Sequence, residues 1–178
     1  MAKVKVATDW LAGCAGCHMS LLDLDEKLVA LTEFIEITSS PVTDLKHPPE
    51  VDLGIIEGAV ANSSNEEVVK EMRRQCKILM ALGDCAVFGG IPLMRNLAGK
   101  DEALRHAYIE AASVVDGEIP DDEELATMEE QVKGINQVVK VDCYVPGCPP
   151  SPEAIQFALS ELLAGRIPVL TGDKLRFD

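Results

Sequence analysis

Short apolar runs alternate with helix-period stretches along this 178-residue chain, and that alternation constrains the fold more than any other feature. Strands parted by helices are joined by crossovers, so the pattern predicts βαβ units and a parallel sheet. Strands are expected at "KVKVAT" (3–8), "EFIEIT" (33–38), "VDLGIIEG" (51–58), "KILMALG" (77–83) and "VVKVDCYV" (138–145). Helical patterns fill the intervals. "SLLDLDEKLVAL" follows the first strand, and "SNEEVVKEMRRQC" follows the third with Ser64 or Asn65 as N-cap. "SPEAIQFALSELLAG" ends the series, with Ser151 as N-cap, Pro152 in the first turn and Gly165 as the stop.

Five strands in this order, joined by right-handed crossovers, predict an α/β, flavodoxin-like doubly wound sheet. The length suits one well-filled core, so residues 1–178 are expected to form a single domain. Residues 91–137 are too many for a simple crossover and are read as an insertion, with a helix around "DDEELATMEEQVKGI".

The formal net charge of −14 argues against nucleic acid or an anionic membrane as partner, because both need clustered Lys and Arg. Acid is concentrated in "DGEIPDDEELATMEE" (116–130), which reads as a solvated face. The opening "MAKVKVATDW" lacks the features of a signal peptide, and the one "RR" falls inside the helical pattern at Arg73-Arg74. No 18 apolar residues run together, so a cytoplasmic protein is expected. In a reducing compartment, six cysteines point to metal binding or catalysis rather than to structural disulfides.

Placing the cysteines on the expected strands is the informative step. Cys14 and Cys17 follow the first strand in "CAGC", Cys85 follows the fourth in "LGDCAVFGG", and Cys148 follows the fifth in "PGCPP". All four then fall in loops at the carboxyl edge of the sheet, where open α/β folds bind their ligands. Four thiolates suit zinc or an iron–sulfur cluster. One close pair joined by two distant single cysteines favours the cluster, since structural zinc takes two close pairs. Gly13, Gly16 and Gly147 stand beside these cysteines, where small residues let backbone N–H groups approach sulfur. Cys76 and Cys143 read as small buried hydrophobes.

A thioredoxin-like dithiol is the rival reading, supported by a CxxC before a helix and by Trp10 upstream. It places the tryptophan too far ahead and leaves the loops of Cys85 and Cys148 without a purpose. No GxGxxG follows a strand and no GxxxxGK[ST] occurs, so no nucleotide site is visible.

"CAGC" after the first strand, "IIEG" ending the third, "ALGDCAVFGGI" after the fourth and "PGCPP" after the fifth together resemble the small subunit of NiFe hydrogenases. The resemblance implies that Cys14, Cys17, Cys85 and Cys148 hold one proximal 4Fe-4S cluster. It implies a NiFe centre in a separate large subunit, where dihydrogen is split, and a proton-transfer role for Glu57 in the family's Glu-Gly position. A strand-end acid beside a glycine turn is the plainer account of Glu57. Trp10 and the Ala15-Gly16 backbone match the segment that faces the large subunit, though a core tryptophan would look the same. His18 reads as a first-turn helix residue, and His47 and His106 join no constellation. After Cys148 no further cysteine occurs, so one cluster is expected here. The features together resemble the cytoplasmic, NAD-reducing hydrogenases most. In that family, iron–sulfur and flavin subunits of a diaphorase module, carrying FMN, relay electrons to NAD. Cytoplasmic hydrogenases with other acceptors share these motifs. The quinone-module subunit of respiratory complex I shares the fold and the "PGCPP" loop but usually has adjacent cysteines in its first motif.

Overall fold

The computed structural model describes residues 2–175; Met1 and residues 176–178, the ends of the expected domain, lie outside that range. From the amino terminus the elements are β1 (Val4–Trp10), α1 (Gly16–Leu22), α2 (Glu26–Leu31), β2 (Ile35–Ser39), β3 (Val51–Glu57), β4 (Val60–Asn62) and α3 (Ser63–Gln75). They continue as β5 (Cys76–Leu82), α4 (Gly83–Phe88), α5 (Lys100–Arg105), β6 (Met128–Lys133), β7 (Cys143–Val145) and α6 (Pro152–Leu163). Five strands form one sheet in the order β2-β1-β3-β5-β7, and every neighbouring pair is parallel. This is the flavodoxin-like order that the alternating pattern predicts.

Strand side chains alternate between two cores, as the period of two requires. Val6, Leu53, Ile55, Met80 and Leu82 pack on one face with Leu21 and the α6 residues Ile155, Ala158 and Leu159. Ala7, Ile56, Leu79 and Ala81 pack on the other with Val69 and Met72 of α3 and Ala86 of α4. Helices therefore cover both faces, which makes the sheet doubly wound. Gly54 of β3 lets α3 come close: a Cβ there would stand 2.9 Å from the Met72 side chain.

The helix ends repay a residue-level reading. Ser151 caps α6 by accepting the Ala154 N–H (3.2 Å), Pro152 opens it, and Gly165 follows its end with φ of 74°. The cap of α3 differs from expectation. Asn62, not Ser64 or Asn65, accepts the Asn65 N–H (2.9 Å), while Asn65 Oδ1 turns back to the Ala61 N–H. The single helix expected over "SLLDLDEKLVAL" is broken into α1 and α2 at Asp25, whose φ is 50°.

Two expectations for the later chain are corrected. The strand expected at 138–145 is confined to Cys143–Val145; Val138, Val139 and Val141 pack on the α3-side core without joining the sheet. The helix expected over 121–135 does not form. Residues 121–127 make turns, and 128–133 form β6, antiparallel to β4. Strand geometry wins because β6 is bonded along both edges. The Asn96 side chain donates to the Val132 carbonyl (2.9 Å) and accepts the Val132 N–H (2.8 Å), and Val132 is buried. Among the described residues no helix is long and apolar enough to cross a membrane.

Candidate metal centre

Trp10, Glu57, Leu82 and Val145 stand side by side where β1, β3, β5 and β7 end. Strand order reverses between β1 and β3, and the crevice beyond the carboxyl ends at such a point is where open sheets bind ligands. A short antiparallel bridge between Ala12 and Ala59 ties the loop after β1 to the turn after β3.

Cys14, Cys17, Cys85 and Cys148 all line one pocket beyond that row, about 380 Å³ counted to its open mouth. Gly13, Gly16 and Gly147 line it as well, together with Glu57, Gly58 and Asp84. The structure thus brings every sequence-predicted site residue to one place, but only Cys14 and Cys148 lie in loops as expected; Cys17 and Cys85 sit in the first turns of α1 and α4, because those helices start directly at the sheet edge. Cys14 and Cys148 are exposed and Cys17 and Cys85 are half-buried. Among the described residues no three or more His, Cys, Asp and Glu side chains are set to hold a single metal ion. Cys76 and Cys143 are buried in the two cores, and burial pushes the Cys143 thiol up to about 12.

Glycine keeps a side chain away from two of the sulfurs. At Gly83, where φ is +83°, a Cβ would fall 2.2 Å from Cys17 Sγ; at Gly16 one would fall 3.1 Å from Cys14 Sγ. Gly83 is therefore required both by its conformation and by the sulfur it faces. Burial first, then the Glu57 carboxylate and the neighbouring Cys85 and Cys14, push the Cys17 thiol well above its ordinary value. Burial raises Cys85 also, and the Ile91 N–H opposes the rise by bonding its sulfur. Four soft donors around a space kept open by glycine fit an iron–sulfur cluster, whose binding would draw these thiols into the thiolate form and release protons.

Glu57 is 2% exposed at the end of β3. Its Oε2 accepts the His18 N–H at 2.8 Å. The His18 ring is buried beside it, with Nδ1 3.1 Å from the same oxygen but off the line of a hydrogen bond. Trp10 meets that ring edge-on at 5.6 Å between centroids and is 39% exposed. The pairing of His18 with Glu57 is invisible in the sequence, where 39 residues separate them. Asp84 is a second residue that sequence reasoning missed; only its place before Cys85 in "GDC" hinted at it. His47 lies elsewhere, bonded to Glu71 at the surface (3.0 Å), and His106 opens a π-helical turn over 106–110.

Residues 14–162 match the family described as NADH ubiquinone oxidoreductase, 20 Kd subunit. The chain is 42% identical to a subunit of the F420-non-reducing hydrogenase of Methanothermobacter thermautotrophicus, over 92% of this chain and 54% of that protein. It thus spans about half the length of that relative. It is 40% identical to the NAD-reducing hydrogenase HoxS subunit delta of Cupriavidus necator, over 92% of this chain and 80% of that protein. Its structure is similar to a chain of an NAD+-reducing NiFe hydrogenase in the H2-reduced state. The TM-score is 0.96 at 42% identity, covering 99% of this chain and 100% of that one.

Proposed function

The chain belongs to the NADH ubiquinone oxidoreductase 20 Kd subunit family, and on that premise we propose that it is the electron-transfer small subunit of a cytoplasmic NiFe hydrogenase. Cys14, Cys17, Cys85 and Cys148 hold a single 4Fe-4S cluster. The observation that carries this reading is the gathering of four cysteines from three separate segments, two of them helix starts, around one glycine-lined pocket. When bound, the cluster supplies one-electron transfer between the NiFe centre of a large subunit and a diaphorase module of iron–sulfur and flavin subunits that reduces NAD. NAD as acceptor is supported by the likeness to the HoxS subunit and to the NAD+-reducing enzyme.

The residues of this chain then divide the work. The thiolates fix the cluster, and the surrounding backbone and burial set how readily it accepts an electron. Gly13, Gly16 and Gly147 leave room for close backbone approach. Glu57, held by the His18 N–H at the inner wall of the pocket, takes up or passes a proton at Oε2. Trp10 offers partly exposed aromatic surface at the pocket side of the sheet, suited to contact with the large subunit.

Iron and acid-labile sulfide analysis of the anaerobically purified complex tests the assignment. Four irons and four sulfides attributable to this chain are expected for one cubane. One zinc, or a metal-free dithiol, would overturn it in favour of a zinc module or a thioredoxin-like enzyme. A second reading keeps the cluster but changes the acceptor, and the 42% identity to the F420-non-reducing enzyme favours it. Hydrogen-dependent NADH formation by the native complex supports NAD. Hydrogen oxidation with artificial dyes but not with NAD would support the second reading.

A further inference from the structure

The first turn of α4, which carries Cys85, and the loop after β7, which carries Cys148, are joined by a closed pair of hydrogen bonds. The Asp84 N–H donates to the Gly147 carbonyl (2.9 Å), and the Gly147 N–H donates back to Asp84 Oδ1 (2.7 Å). The ladder between β5 and β7 ends at the Leu82–Val145 pair. Beyond it the side-chain oxygen of Asp84 stands in for a backbone carbonyl and carries the pairing past the end of the strands. Each partner directly precedes a pocket cysteine, and both line the pocket themselves. Gly147 is buried, so its N–H has little access to water as a substitute acceptor.

We propose that Asp84 is a positioning residue for the cluster, locking the start of α4 and the Cys148 loop at the separation at which both sulfurs face one group. The inference rests on the cluster reading above. Of the three cysteine-bearing segments, these two follow adjacent strands, yet β7 is only three residues long and gives them little common support. The Asp84–Gly147 pair supplies what the short ladder cannot. What matters is the acceptor oxygen at that reach from the backbone, not the carboxylate charge.

Three substitutions in the hydrogenase complex separate these properties. Asp84→Asn keeps an acceptor oxygen at the same reach, Asp84→Glu keeps the charge but moves the oxygen, and Asp84→Ala removes both. The readout is the paramagnetic signal abolished by Cys85→Ser, followed during a chelator challenge, with circular dichroism and complex assembly recorded alongside. Asp84→Asn is expected to retain the signal as the wild type does. Asp84→Ala and Asp84→Glu are expected to lose it about 10-fold faster, a typical outer-shell effect. An alanine variant that retains the signal like the wild type overturns the proposal. So does a glutamate variant that retains it while the asparagine variant does not, because charge would then be the operative property. That comparison stands even where the alanine variant fails to assemble. A wild-type complex with no Cys85-dependent signal overturns the underlying cluster reading instead.

Discussion

At the carboxyl edge of the sheet, β1, β5 and β7 pass into turns and a helix start rich in glycine and cysteine that surround a pocket. At the opposite end of β5 and β7 the chain uses charge to close the structure. Arg73 of α3 donates to Asp142 Oδ2 (2.5 Å) and to the Cys76 and Lys77 carbonyls (2.7 and 3.0 Å), while Asp142 also accepts the Leu79 N–H (2.8 Å). One end satisfies its polar groups internally and packs tight; the other holds half-buried thiols and an almost fully buried carboxylate beside a space. The difference separates residues needed for the chemistry from residues needed for the fold, and substitutions at the two ends should fail in different ways.

The largest effect is expected at the pocket. Cys85→Ser should abolish the cluster's paramagnetic signal, whereas Cys76→Ser, in the core beneath α3, should leave it intact. Equal behaviour of the two would erase the contrast between the ends. Next comes Gly83→Ala, because its Cβ would lie 2.2 Å from Cys17 Sγ at a φ of +83°. It should prevent cluster assembly. Gly165→Ala has a similar φ of +74° but nothing within 4 Å, and should cost only the backbone strain of about 1–2 kcal/mol in chemical denaturation.

At the opposite end the expected losses are of stability alone. Asp142→Ala should cost about 2 kcal/mol by removing charge-assisted bonds, with cluster content unchanged. Burial alone would push the Asp142 carboxyl up, but the Leu79 N–H and the Arg73 guanidinium outweigh it and hold it below the ordinary carboxylate range. A depressed carboxyl stabilises the fold above the unfolded value near pH 4 and loses that contribution as pH falls through the folded value. The stability gap between wild type and Asp142→Ala should therefore narrow in denaturation curves taken below about pH 4. The smallest effect is expected at the exposed Lys77–Asp52 pair, where Lys77→Ala should leave the melting temperature unchanged.

Much of this contrast was legible in the chain. Near-continuous apolar runs in "VDLGIIEG" and "KILMALG" announce strands buried on both faces, because a sheet covered by helices on both sides tolerates little else. Ser151-Pro152 marks a helix start through groups local to the turn itself. The misread stretch 121–135 carries a helix-like acidic pattern, yet its strand is made by partners distant in sequence, β4 and Asn96. Local pattern cannot report such pairing.

For the candidate site the division is similar. The order of residues alone establishes which donors are available and that each cysteine follows a strand, since a parallel sheet sends every such loop to the same edge. Folding adds the rest: the four cysteines line a single pocket, Glu57 is buried against His18, and Asp84 ties the start of α4 to the loop after β7. Those are contacts between segments tens of residues apart, and their geometry is set by strand register and helix packing, which no local stretch of the chain encodes.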